Sequence, residues 1–145
     1  MRGSLPETHG TAIFLPVADP GAGAGFDVYA PNGMKLKIIT MRFQFVCAVA
    51  VANRRVQVDF IHAGNSYGRI FADAVVVAGS TSYFNFFPGF GSRVGSTLGN
   101  FFLEYPEHVW VYTNDLLRFT ADNIQAADQF SAIMVYAEYW VDDPF

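Results

Sequence analysis

From Lys35 to Phe87 apolar and polar residues alternate, and only short turn-like clusters interrupt the pattern. Ile39, Met41, Phe43, Phe45, Cys47, Val49 and Val51 fall on one side of an extended chain, with Thr40, Arg42 and Gln44 on the other. A period of two excludes an amphipathic helix, which repeats about every 3.6 residues. The block reads as consecutive β-strands.

Residues 1–25 differ in character: Pro6, Pro16, Pro20 and the run Gly21-Ala22-Gly23-Ala24-Gly25 prevent a continuous ladder or helix. The segment reads as an extended arm and Gly-rich linker preceding a domain over 26–145. One strand is expected within it, Thr11 to Val17, suited to a sheet edge of this chain or a neighbour's. A frayed terminus is the competing reading.

After the Pro31-Asn32-Gly33 turn, the run from Met34 to Ala52 changes phase near Ile38-Ile39, which predicts a bulge or a strand break. Asn53 to Arg55 turns the chain into Val56 to His62, and Ala63 to Ser66 turns it again. Further strands are expected over Tyr67 to Ala78, Thr81 to Phe87, Phe101 to Tyr105, Val109 to Leu117 with an Asn114-Asp115 turn, Leu117 to Ala121, and Phe130 to Val141. A long Gly-rich loop covers Pro88 to Asn100, and Asp122 to Gln129 reads as a loop or one helical turn. These spacings predict an all-β, antiparallel, jelly-roll-like sandwich of about eight strands.

A 145-residue chain fits one domain, which at that size buries about 70% of its unfolded surface. Cys47 is the only cysteine, so no internal disulfide exists, and its strand position predicts a buried thiol. Charged residues make up 15% of the chain against roughly 25% in average soluble proteins, and there are fifteen Phe. Part of the surface is therefore expected to be covered by a partner or by self-association.

The net charge of -4 and the presence of only two lysines, Lys35 and Lys37, argue against a nucleic-acid groove. Arg54-Arg55, the only adjacent basic pair, reads as a charged turn. No apolar stretch approaches the roughly 18 residues of a membrane span. Residues 1–7 lack the apolar region of a secretory signal, so synthesis in the cytoplasm is the simplest expectation.

Catalytic and cofactor motifs are not found. Gly89 to Gly95 has GxGxxxG spacing with no helix pattern after it, so no phosphate cradle is expected. Ser66 has GxSxG spacing in Gly64-Asn65-Ser66-Tyr67-Gly68, but the frame falls in the turn between two expected strands, with no helix pattern after it to make a nucleophile elbow. His9, His62 and His108 are too scattered for a metal pair, and Asp122, Asp128, Asp142 and Asp143 have no evident acid/base partner. The expectation is a protein without catalytic, metal or cofactor sites. Aromatics near the Gly-rich loop, among them Tyr83, Phe84, Phe86, Phe87 and Phe90, suit a protein interface or a sugar-stacking platform, and core packing explains Phe84 and Phe86 equally well.

The order Asn53-Arg54-Arg55-Val56-Gln57-Val58-Asp59, then Tyr67 to Ala78, Tyr83-Phe84-Asn85-Phe86, a Gly-rich loop, Val109-Trp110-Val111 and Ala137-Glu138-Tyr139-Trp140 resembles the jelly-roll capsid decoration, or cement, proteins of tailed bacteriophages. The likeness is one of strand cadence over about residues 35–141. It implies a non-enzymatic virion protein on the capsid surface that bridges subunits of the major capsid protein. It also implies a homo-oligomer, a trimer rather than a dimer. On that reading Ile13, Phe14, Leu15 and Phe26 contact the capsid or a neighbour, and Tyr83, Phe87, Phe90 and Trp110 form the subunit interface. The alternative is a carbohydrate-binding jelly roll with Tyr67, Tyr83 or Trp110 as its platform.

Overall fold

The computed structural model describes residues 10–49, 52–72, 75–86, 93–94, 100–103 and 109–141. They form eleven strands: β1 (Thr11–Leu15), β2 (Phe26–Tyr29), β3 (Met34–Val46), β4 (Arg55–His62), β5 (Asn65–Phe71), β6 (Thr81–Phe86), β7 (Arg93–Val94), β8 (Asn100–Leu103), β9 (Trp110–Val111), β10 (Asp115–Asp122) and β11 (Gln129–Val141). No helix is present among the described residues, so none is long and apolar enough to cross a membrane.

Two sheets result, a seven-stranded one in the order β1-β11-β3-β6-β8-β7 with β9 added to β3, and a four-stranded one in the order β2-β10-β4-β5. The topology is that of an antiparallel ribbon folded on itself. β1 pairs β11, β2 pairs β10, β3 pairs β6 and β4 pairs β5, and the ribbon wraps so that β11 meets β3 in one sheet and β10 meets β4 in the other. Eight strands wound in this way are a jelly roll. The other three, β7 to β9, lie in the connection between β6 and β10. The β6–β8 pair is parallel, the one departure from the expected antiparallel pattern.

The predicted phase change in β3 is a bulge. Thr40 pairs Tyr136 and Ile38 pairs Ala137, leaving Ile39 as the extra residue. Leu36 and Ile38 point inward before it, and Met41, Phe43 and Phe45 after it. Ile39 itself is half-buried rather than the first inward residue of the second phase. The Ala63-Gly64 turn joining β4 to β5 has φ values of 47° and 83°, the doubly positive pattern that matches the twist of a two-residue hairpin. β5 stops at Phe71, short of the expected Ala78, and Val76 forms an isolated bridge with Arg54.

The core is built on phenylalanines. Within the small sheet Phe26 lies opposite Phe119 and stacks on it at 4.8 Å; within the large sheet Phe43 lies opposite Phe84 and stacks on it at 5.3 Å. Between the sheets the rings meet edge to face, Phe43 at 5.2 Å from Phe26 and 5.3 Å from Phe119. Both arrangements suit the ring quadrupole. The approach to β2 is equally close, since a Cβ on Gly25 would lie 2.2 Å from the Phe119 carbonyl oxygen.

One end of the sandwich is locked by a buried ion pair. Arg54 and Asp128 are both fully buried; Arg54 Nε and a terminal nitrogen donate to the two carboxylate oxygens at 2.8 and 3.1 Å. The same carboxylate accepts the amides of Ala48 and Gln125 at 2.7 Å each, and Arg54 also donates to the Ala52 carbonyl. Gly23 donates its amide to the Asp128 carbonyl at 2.7 Å, and Arg54 exchanges backbone bonds with Val76. All four connections at this end, β1–β2, β3–β4, β5–β6 and β10–β11, thus converge on two residues. Burial by itself raises the carboxyl pKa of Asp128. The bonds from Arg54, Gln125 and Ala48 outweigh it and hold the group below its ordinary value. Cys47, packed nearby and buried as expected, has its thiol pKa pushed up by burial.

Candidate functional site

The two outer faces differ in chemistry. On the small sheet, Asp27 (β2), Arg118 (β10), Asp59 (β4) and Arg69 (β5) are in register and form a row of alternating charge across all four strands. Arg118 binds Asp27 at 2.9 and 3.1 Å, and Arg69 grips Asp59 through both carboxylate oxygens, one of them at 3.1 Å. Each carboxylate raises the pKa of its arginine chiefly through these hydrogen bonds. Such cross-strand pairs satisfy one another, and Asp59 is itself buried beneath its arginine partner. At the end of this sheet the exposed ring of His62 pairs with Asp115.

The large sheet carries no comparable row among the described residues. Phe14 on β1 is 70% exposed and leans on Tyr136 of β11 at 4.9 Å. Met134, one row along β11, is 60% exposed and lies opposite Arg42 of β3. The Arg42 guanidinium sits 4.6 Å over the ring of Tyr83 on β6, a cation–π contact rather than an ion pair. A band from the β1 edge to β6 is therefore aromatic, methionine-bearing and cationic.

A second apolar area lies at the locked end. Val49 is 86% exposed, and Val75 and Val77 project outward on either side of the buried Val76. The Gly79 amide donates to the Ala48 carbonyl at 3.0 Å, which joins the loops that carry them.

Several expected site residues are placed differently. Phe26 is a core residue, 5% exposed, because β2 turns its ring between the sheets, so it is not available to a neighbour. Ile13 and Leu15 pack half-buried against the same core, which leaves Phe14 as the outward residue of β1. The strand expected in the N-terminal arm does form, and its partner is this chain's own β11. Tyr83 and Trp110 both lie on the outer face of the large sheet, on opposite sides of the Ile39 bulge. Phe87 and Phe90, with most of the Gly-rich loop, lie outside the described residues. Val49 was expected inward; the strand ends at Val46, and alternation has no meaning beyond the ladder. The exposed valines had one sequence signal, apolar runs at 48–52 and 75–78 that are richer than turns require.

Comparison with protein-family profiles, with characterised proteins and with solved structures finds no match to this chain.

Proposed function

We propose that the protein is a structural component of a shell: a jelly roll that self-associates through the outer face of its large sheet and binds the surface of a phage capsid, stabilising it by bridging subunits of the major capsid protein. The observation that carries this reading is the band of Phe14, Met134, Tyr136 and the Arg42–Tyr83 pair on the outside of the large sheet; the small sheet has exposed Tyr29 and Phe71 as well, but interleaved with its charge row. Aromatic, methionine and arginine side chains are those enriched in protein interfaces. The band is also asymmetric, aromatic at the β1 edge and cationic over tyrosine at β6. Such unlike ends can meet across a two-fold axis or head to tail in a closed ring, and the trimer is the reading that the resemblance to decoration proteins favours.

The exposed valines of the locked end are the surface this reading assigns to the capsid. They take the place of Ile13, Leu15 and Phe26, whose side chains point inward. Repetition supplies the mechanical effect, since each bound oligomer adds contacts that must break together before capsomers separate.

The two surfaces are separable by mutation. Phe14→Glu with Met134→Glu is expected to reduce the oligomer to single chains by light scattering while the β-sheet circular dichroism stays unchanged. Val49→Asp with Val77→Asp is expected to leave the oligomer intact and abolish cosedimentation with assembled shells of the major capsid protein. Unchanged mass in the first variant, or undiminished cosedimentation in the second, would remove the corresponding surface from the account.

A further inference from the structure

Both tryptophans and both lysines of the chain meet at one place, the end of the large sheet opposite the Arg54–Asp128 lock. Lys35 and Lys37 project from the same face of β3. Their strand neighbours are Trp140 on β11, opposite Lys35, and Trp110 on β9, opposite Lys37. The indoles are 5.1 Å apart, and Tyr112, 46% exposed, stacks on Trp110 at 6.3 Å. The Ile39 bulge separates this cluster from the Phe14–Tyr83 band, and a bulge bends a strand and re-aims the side chains beyond it.

We infer that the Trp110, Trp140 and Tyr112 rings with Lys35 and Lys37 form a binding platform for an acidic saccharide, a pyranose chain bearing carboxylates. Aromatic π-faces are electron-rich and attract the weakly positive C–H face of a sugar ring. The ammonium groups supply the charge selectivity. Each lies 5.9 Å from the centre of the Trp110 ring, near the outer limit of a cation–π contact. Among the described residues the ion pairs belong to Arg54, His62, Arg69 and Arg118, and no described carboxylate pairs with either lysine. Glu138 stands opposite Lys37 in register and forms no ion pair with it. Two cations at alternate positions of one strand, about 7 Å apart, can each meet one carboxylate of the ligand. Nucleic acid also combines stacking with negative charge, but the chain's net charge of -4 opposes a polyanion that needs an extended basic groove.

Because Trp110 and Trp140 are the chain's only tryptophans, its selectively excited tryptophan fluorescence arises wholly from this cluster. Titration with a hyaluronan hexasaccharide or with 3′-sialyllactose is expected to give a saturable change. Chitohexaose, a neutral chain, is expected to give at least roughly tenfold weaker binding, and Lys35→Gln with Lys37→Gln is expected to weaken the acidic ligand by a similar factor while the circular dichroism stays unchanged. The inference is overturned by no saturable change with either acidic probe up to about 1 mM, by equal binding of chitohexaose, by full binding in the double lysine variant, or by a response to oligothymidylate alone.

Discussion

Asp128→Ala is expected to destabilise the fold by about 3–5 kcal/mol, read as a fall in the urea midpoint at one fixed protein concentration. The loss exceeds that of an ordinary hydrogen bond because four donors lose their acceptor together: both Arg54 nitrogens and the amides of Ala48 and Gln125. The buried Arg54 guanidinium would lose the Asp128 carboxylate that grips it through two nitrogens, and breaking a buried pair from one side is the costly condition. Arg54→Met in the Asp128→Ala background is expected to recover only part of the loss. It removes the buried cation but not the two amides that have lost their acceptor.

The same residue sets an acid limit. Its folded-state pKa is depressed, so its contribution is present above the unfolded carboxylate value and is lost as pH falls through the lower, folded value. Stability is therefore expected to decline progressively below about pH 4, with a shallower decline in the Asp128→Asn protein. An identical acid profile in the two proteins would contradict this assignment.

Phe43→Ala is the second large effect, again expected at about 3–5 kcal/mol. The ring is fully buried and touches Phe84 within its own sheet and Phe26, Phe119 and Phe130 around it, the last at 5.7 Å. Truncation opens a cavity whose walls belong to two stiff sheets and cannot close on it. Phe43→Leu, which keeps most of the volume, is expected to cost less than half as much. Thermal unfolding of the two variants at matched concentration checks the difference. A Phe43→Ala protein as stable as Phe43→Leu would mean that the sheets can collapse inward.

The strands were legible because burial on one face imposes a period of two, and β3, β6 and β10 keep that period over six residues or more. Phe26 was not legible as core, since a four-residue strand is too short for its inward parity to show. The lock was invisible for a different reason. Its partners are 74 residues apart, and locally Arg54 reads as part of a charged turn and Asp128 as part of a polar loop. Likewise, no local pattern marks β8 as the parallel neighbour of β6, because parallel pairing is decided by the path of the connection. The candidate surfaces follow the same rule. Tyr83 and Trp110 were visible as aromatics, but their rows with Arg42 and Trp140 exist only once β3 has brought the neighbouring strands into register.

Self-association through the Phe14-to-Tyr83 band of the large sheet is tested most directly by the mass of the purified protein in solution. Size-exclusion chromatography with light scattering over a wide concentration range is expected to give three times the 16.0 kDa of one chain, held at raised salt because the contact is mainly apolar. A mass of one chain at every concentration would contradict the account.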